Sequence, residues 1–158
     1  MESGNGKRDA GSSPRRAIRS YEDIEAFQSA MELLVPLHQI ILKFPDYERF
    51  ELGSQLRRAS KSIPANIAEG YGKKSSDRQF KAYLSNALGS ANEVIVHLRI
   101  AERLGYCDAT DIRDLVARYT VVAKQLHRLS EAWQTFEGRA AGAVPPPASR
   151  LSLPAKKE

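Results

Sequence analysis

A run of basic side chains in the middle of the chain is the best candidate for binding chemistry. Between positions 57 and 81, seven cations stand against Glu69 and Asp77, a local charge of +5: Arg57, Arg58, Lys61, Lys73, Lys74, Arg78 and Lys81. Such clusters bind phosphate groups by Coulomb attraction and charge-assisted hydrogen bonds, and Tyr71 is placed to stack on a base. The composition predicts a nucleic-acid-binding surface, although a solvated helix face accounts for it equally well.

Two stripes of polar residues run beside apolar ones at helical spacing. The first holds Gln55, Arg58, Ser62, Asn66 and Glu69, and the second holds Asn86, Ser90, Glu93 and His97. On neighbouring antiparallel helices these stripes face each other and exchange hydrogen bonds. The favoured interpretation is a polar network that fixes helix register or forms a subunit interface. Acid–base catalysis by a pair formed from Glu69 and Glu93 is the disfavoured one.

Residues suited to metal or nucleophilic chemistry are sparse. His38, His97 and His127 lie on three different predicted helices and form no His-x-x-x-His or Glu-x-x-His pair. The sequence has no phosphate-binding glycine loop of the Walker or dinucleotide type. Its single cysteine, Cys107, lacks an obvious activating base, which predicts a partly buried thiol. We therefore predict that the protein is not an enzyme and has no catalytic residues, no metal site and no cofactor.

Four amphipathic segments are predicted to position these residues. After an N-cap at Ser20, the first carries apolar residues every three or four positions to about Lys43: Ile24, Phe27, Met31, Leu34, Leu37 and Ile41. The second begins near Phe50 and ends at Gly70 or Gly72, and its buried stripe is Leu52, Leu56, Ala59, Ile63 and Ile67.

The third and fourth segments are longer and more regular. Ser76 caps the third and Gly105 ends it, around a stripe of Phe80, Leu84, Ala87, Leu88, Ala91, Val94, Ile95, Leu98 and Ala101. The fourth starts at Asp108 or Thr110 and carries Ile112, Leu115, Val116, Tyr119, Val122, Ala123, Leu126, Leu129, Trp133 and Phe136. Joined by short links, the four segments predict an all-α, antiparallel up-down-up-down four-helix bundle over residues 20–137.

Net positive charge is concentrated at the two ends of the sequence. The charges sum to +3 over residues 1–19, to −1 over 20–138 and to +3 over 139–158. Because both ends are rich in Gly, Ser, Pro and Ala, we predict a disordered basic arm over 1–19 and a disordered Pro/Ala-rich basic tail over 138–158. No apolar run approaches the length of a membrane span or a signal peptide, which predicts a soluble, cytoplasmic protein.

Two blocks of the sequence resemble a known family. The first is Phe44-Pro45 with Glu48, followed by the runs 52–59 (LGSQLRRA) and 62–70 (SIPANIAEG). The second comprises 89–90 (GS), 93–94 (EV) and 104–106 (LGY). Together they resemble the bacterial four-helix-bundle proteins named after the intervening sequences of 23S rRNA genes. The resemblance covers about residues 20–136.

The resemblance implies a homo-oligomer, in particular a pentamer. Related bundles include the accessory variability determinant of diversity-generating retroelements, a pentameric barrel that binds nucleic acid and a reverse transcriptase. The residues at the family's characteristic positions are Arg57, Arg58, Asn66, Glu69 and Gly70.

Residues and resemblance together predict a non-enzymatic oligomeric bundle that binds RNA or DNA through its basic surface, with a reverse transcriptase as a further candidate partner. The alternative is a protein-interaction scaffold, a homo-oligomeric ring that binds no nucleic acid.

Overall fold

The computed structural model describes residues 17–133. They form a short 3-10 helix, Tyr21–Asp23, and five α-helices: α1 (Glu25–Ile41), α2 (Asp46–Phe50), α3 (Leu52–Gly72), α4 (Asp77–Leu104) and α5 (Ala109–Ala132). The four long helices α1, α3, α4 and α5 confirm the predicted all-α four-helix fold, and no strand occurs in this part of the chain. The predicted arm and tail fall almost entirely outside the described residues.

Helices α3 and α4 form the most extensive helix–helix contact in the bundle. Ser62 in the middle of α3 bonds Ser90, while Glu69 near the end of α3 bonds Tyr83 near the start of α4. Later positions on one helix therefore meet earlier positions on the other, which is the pattern of antiparallel packing. This packing brings the two predicted polar stripes to the same side of the bundle.

Close approach of α3 and α4 depends on a glycine near the end of α3. A Cβ atom placed on Gly70 would lie 2.6 Å from Cβ of Tyr83 and 3.0 Å from Cδ2 of Phe80. The Cβ of Tyr83 is fixed to the α4 backbone, so the two helices would have to separate to admit it. Gly70 thus brings α4 close enough for the Glu69–Tyr83 hydrogen bond.

The predicted apolar stripes of α3, α4 and α5 form the core. Every stripe residue of α3 is buried, and in α4 only Leu88 and Ile95 are partly exposed. In α5 the stripe is buried from Ile112 to Leu126 except at Ala123, which is partly buried, as are Leu129 and Trp133. Phe136 lies outside the described residues. Periodicity identified these three faces because each helix has one apolar side.

The predicted stripe of the first helix is buried only in part: Ile24, Leu37 and Ile41 are buried, Phe27 and Leu34 are partly buried, and Met31 is exposed. The sequence did not identify the other buried residues of α1, which are Ala26, Ala30, Leu33 and Ile40. Apolar residues occupy both sides of α1, so the spacing could not choose between them. One consequence is an exposed apolar face on α1, formed by Met31, Val35 and Leu42.

Three helix ends were predicted incompletely. Ser20 caps the short 3-10 helix, in a capping box with Asp23, and the long helix α1 starts only at Glu25. A separate one-turn helix, α2, precedes α3, whereas the sequence predicted a single helix from about Phe50. Helix α5 ends at Ala132, earlier than Phe136, because Trp133 is extended. By contrast Gly105 ends α4 in the left-handed conformation with φ 70°, as predicted.

Within residues 17–133, no helix combines the length and the apolar character needed to cross a bilayer.

Candidate nucleic-acid interface

Four of the seven predicted basic residues surround the connection between α3 and α4. We call Lys73, Lys74, Arg78 and Lys81 the basic turn. Lys73, Lys74 and Arg78 are exposed and Lys81 is half-buried. None of the four forms a salt bridge with a carboxylate of residues 17–133. Their positive potential adds to that of the α4 N-terminus, which favours anions.

Tyr83 connects one member of the basic turn to the polar stripe of α3. The Lys73 ammonium donates to the Tyr83 hydroxyl over 3.0 Å, and that hydroxyl donates to Oε1 of Glu69 over 2.8 Å. The hydrogen bond to Tyr83, with the nearby charge of Glu69, raises the pKa of Lys73. Tyr83 was not predicted as a site residue, because a single tyrosine next to the polar stripe of α4 does not repeat at helical spacing.

Tyr71 is not available to stack on a base, contrary to the sequence-based expectation. Its side chain is buried, and its ring packs edge-on against Phe80 and Trp133, with centroids 6.4 and 6.5 Å away. The Lys74 ammonium lies 3.9 Å from the ring centroid, a cation–π contact that covers the ring. The basic turn therefore offers cations to a ligand, while Lys74 covers the ring of Tyr71 and the Lys73 ammonium lies over the ring of Tyr83, 5.1 Å from its centroid.

The other three basic residues lie on α3, away from the basic turn. Fifteen residues separate Arg58 from Lys73, about 22 Å of helix. Arg58 and Lys61 are exposed, whereas the half-buried Arg57 donates from Nη2 to the carbonyl of Arg49 over 2.8 Å. Arg57 thus links α2 to α3. The structure divides the predicted surface into two regions and gives one of its residues a structural contact.

The two polar stripes exchange one hydrogen bond, between Ser90 and Ser62, over 2.9 Å. Nδ2 of Asn66 donates to both the carbonyl and the hydroxyl of Ser62, over 2.8 and 2.9 Å, so three residues form a small network between α3 and α4. The side chains of Gln55 and Asn86 make no hydrogen bond with residues 17–133. The network holds the two helices in register and contains no titratable group.

Glu69 and Glu93 do not form a carboxylate pair. The α4 residue opposite Glu69 is Tyr83, and Glu93 lies ten residues further along α4, about 15 Å away. Glu93 instead interacts with His97 on its own helix over 3.4 Å, while Nδ1 of His97 is buried without a hydrogen-bond partner within residues 17–133. This separation removes the geometry that acid–base catalysis by the two glutamates would need.

Metal-binding and nucleophilic groups are equally dispersed in the described part of the chain. No cluster of three or more His, Cys, Asp or Glu side chains there could hold a metal ion. Cys107 is partly buried, and burial raises the pKa of its thiol to about 11. The thiolate is therefore scarce at neutral pH.

Comparisons with known proteins identify relatives of this architecture. The sequence model of the 23S rRNA-intervening sequence proteins matches residues 22–128. A crystal structure from Bacteroides thetaiotaomicron, described as a protein with unknown function from the S23 ribosomal protein family, superposes with a TM-score of 0.60 at 23% sequence identity. The superposition covers 68% of this chain and 99% of that one, and at this identity it supports the fold alone. No curated protein matches the sequence.

Proposed function

Because the chain belongs to the 23S rRNA-intervening sequence protein family, we propose that it is a non-enzymatic, oligomeric bundle that binds RNA or DNA through its basic surface. The observation that carries the proposal is the basic turn, where four cations gather around the N-terminus of α4 and three of them, Lys73, Lys74 and Arg78, are exposed. Cations gathered at one end of a bundle repel each other, and phosphate groups relieve that repulsion.

The mode of binding follows from the side chains that the basic turn offers. Lys74, Arg78 and Lys81 donate hydrogen bonds to phosphate oxygens and carry no base-specific geometry. Tyr71 is covered, so stacking on bases contributes little. Binding should then depend strongly on salt and weakly on sequence, because counterion release supplies most of its free energy.

The direct test titrates the full chain against a fluorescein-labelled 20-bp DNA duplex, and against single-stranded RNA of the same sequence, at several salt concentrations. Each phosphate contact adds about 0.9 to the slope of log affinity against log salt for duplex DNA and about 0.7 for single strands. The triple variant Lys74→Gln/Arg78→Gln/Lys81→Gln should lower the duplex slope by about 2.7. It should weaken duplex binding by about 500-fold at 0.1 M salt, if affinity at 1 M is unchanged.

The matched control removes the same charge from cations that already have carboxylate partners. Lys43, Arg49 and Arg118 pair with Asp111, Asp46 and Asp114, so each exerts a weaker field on an approaching phosphate: the three distances are 2.8, 3.0 and 3.7 Å. The variant Lys43→Gln/Arg49→Gln/Arg118→Gln should bind the duplex nearly as tightly as the unaltered chain. Equal losses in both triple variants, or no binding by the unaltered chain, would refute the proposal.

Self-association is the second element of the proposal, and exposed apolar side chains support it. Val96, Ile100 and Leu104 follow one another at steps of four on α4, and Met31, Val35 and Leu42 form the exposed face of α1. Exposed apolar surface of this kind is typical of subunit interfaces. By resemblance we propose a pentamer, whose mass light scattering would measure. Val96→Ser/Ile100→Ser should reduce the oligomer, whereas Val121→Ser, an exposed change on α5, should not.

The same apolar faces favour a second candidate function, a scaffold that binds a protein and no nucleic acid. A reverse transcriptase is the candidate partner that the resemblance suggests. Co-purification of such a protein after nuclease treatment, with loss of the complex in the α4 variant Val96→Ser/Ile100→Ser, would support the scaffold. Loss of the complex in the basic-turn variant alone would favour the nucleic-acid function.

A further inference from the structure

A groove between α4 and α5 is lined by a group of cations that was not predicted from the sequence. The groove has a volume of about 600 Å³. Arg99 from α4 and Arg113 and Lys124 from α5 lie along it, and Glu102 is its one acidic residue among those described. These cations are distant in sequence, so no local charge run reveals them.

The single carboxylate of the groove is already engaged. Oε1 of Glu102 accepts a hydrogen bond from Nε of Arg113 over 2.7 Å, and the Glu102 side chain is only 25% exposed. Arg99 and Lys124 form no salt bridge with any residue between 17 and 133. The groove therefore keeps two cations whose charge is not neutralised by a neighbour.

Helix geometry connects this groove to the basic turn. Eighteen residues separate Lys81 from Arg99, five full turns of α4, so the two side chains lie on the same side of the helix, about 27 Å apart. Along α5, the span from Arg113 to Lys124 is about 16 Å. One strand of B-DNA places a phosphate every 3.4 Å along its axis, so the groove could face about five successive phosphates.

Between the charged residues, the described lining of the groove is small, uncharged and without an aromatic ring. It comprises Val116, which is buried, Val121, which is 48% exposed, and Ala117 and Thr120. Aliphatic side chains contact sugars without selecting a base, and the flanking cations contact phosphates. The chemistry of the groove thus fits a sugar–phosphate backbone and has no feature that would read a sequence.

We propose that the α4–α5 groove is a second phosphate-binding site, which carries the backbone of a bound nucleic acid away from the basic turn along α4. Arg99 and Lys124 are its contact residues. The proposal rests on the proposed nucleic-acid-binding function and extends it from one end of the bundle to its long side.

The experiment measures binding of the full-length variant Arg99→Gln/Lys124→Gln to the labelled 20-bp duplex across a salt series. Loss of two phosphate contacts should lower the slope of log affinity against log salt by about 1.8. It should weaken binding by about 60-fold at 0.1 M salt, if affinity at 1 M is unchanged. The matched control is Lys43→Gln/Arg118→Gln, with the same change of net charge among paired cations. The control should keep its slope.

The outcomes separate the groove from the basic turn. If the basic-turn variant loses affinity while Arg99→Gln/Lys124→Gln behaves like its control, the groove proposal is wrong and the proposed function stands. If the unaltered chain binds neither probe, the proposed function itself fails. A polyglutamate peptide provides the last comparison: if the groove variant loses this peptide but keeps the duplex, the groove binds acidic protein segments and our assignment is overturned. Circular dichroism should show equal helicity in both variants.

Discussion

The two ends of the bundle differ in whether their charged side chains form ion pairs. At the end formed by the α1–α2 and α4–α5 connections, which we call the paired end, cations meet carboxylates. Lys43 binds Asp111 over 2.8 Å, and Tyr106 donates to Glu48 over 2.7 Å. At the other end, the basic turn has no salt bridge among the described residues, and Lys73 reaches Glu69 only through Tyr83.

This difference separates charges that hold the fold from charges that remain available to a ligand. Three contacts at the paired end join two elements: Lys43 joins the α1–α2 connection to α5, Tyr106 joins α2 to the α4–α5 connection, and Arg113 joins α5 to α4. Of the cations of the basic turn, only Lys73 bonds a side chain of another element, Tyr83. Charge alone therefore does not identify a binding surface. A surface cation is more available to a ligand where no neighbouring carboxylate pairs with it.

The largest expected effect concerns the glycines that allow close packing at each end. Gly70→Ala should destabilise the fold by about 2–3 kcal/mol, because the new methyl group meets Cβ of Tyr83, which cannot move independently of α4. Gly53→Ala, near the paired end, should cost about 1–2 kcal/mol, because the added methyl would lie 2.7 Å from Cγ2 of the buried Ile41 and 3.3 Å from the backbone oxygen of Glu48. Urea denaturation measures both.

Gly89 provides the control for these two substitutions. It lies on the exposed side of α4 with no atom within 4 Å of an added Cβ, so Gly89→Ala should stabilise the protein by about 0.5–1 kcal/mol through helix propensity. If Gly70→Ala also proved neutral or stabilising, α3 and α4 would not be packed as closely as described.

A smaller effect is expected from neutralising cations at each end. Surface ion pairs contribute about 0.2–1 kcal/mol each, so Arg49→Gln/Arg113→Gln should lower the free energy of unfolding by about 1 kcal/mol. Arg78→Gln/Lys81→Gln removes the same charge but no ion pair between residues 17 and 133 and no cation–π contact, and it should leave stability unchanged or slightly raised. Both effects should shrink at 0.5 M salt because of screening. Equal destabilisation by the two variants would contradict the difference between the paired end and the basic turn.

Removing one hydroxyl at each end gives a further comparison. Tyr106→Phe deletes the hydrogen bond to Oε1 of Glu48 in a partly buried position and leaves that carboxylate only the longer bond that Oε2 accepts from the Leu52 N–H. Tyr83→Phe deletes an exposed bridge whose partners water can solvate. The thermal midpoint should therefore fall for Tyr106→Phe and change little for Tyr83→Phe. A larger fall in the thermal midpoint for Tyr83→Phe would show that the Lys73–Tyr83–Glu69 hydrogen bonds stabilise the fold more than the Tyr106–Glu48 hydrogen bond does.

The last comparison concerns a loss of stability at high pH, to which the paired end contributes together with the core residue Tyr119, whose pKa burial also raises. Burial raises the pKa of Cys107 to about 11, and the hydrogen bond to Glu48 raises that of Tyr106 to about 12. Both groups are neutral when protonated and have a higher pKa folded than unfolded, so their contribution is complete below about pH 9 and is lost as pH rises through 11 and 12. Cys107→Ala/Tyr106→Phe should flatten the decline measured between pH 9 and 12, and an unchanged decline would assign it to other groups.

The sequence was most informative for helices with one apolar side. The stripes of α3, α4 and α5, the cap at Ser76 and the stop at Gly105 were all predicted, since spacing and capping chemistry are local properties. The α1 face was predicted only in part. Ile24, Leu37 and Ile41 are buried as predicted, but only packing against α3 and α5 decided that Leu33 is buried while Met31 is exposed.

The candidate site also has some features that the sequence determined and others that only the tertiary structure decided. Sequence alone determined that seven cations occur between positions 57 and 81, because charge depends only on residue type. Tertiary structure decided that Arg57 holds α2, that Tyr71 is covered by Lys74 and that Tyr83, rather than Glu93, faces Glu69. It also placed Arg99 and Lys124, which are 25 positions apart in the sequence, along the same groove. The physical reason is that pairing and burial are properties of distance in the folded bundle, and the spacing within one helix does not specify the residues of the next.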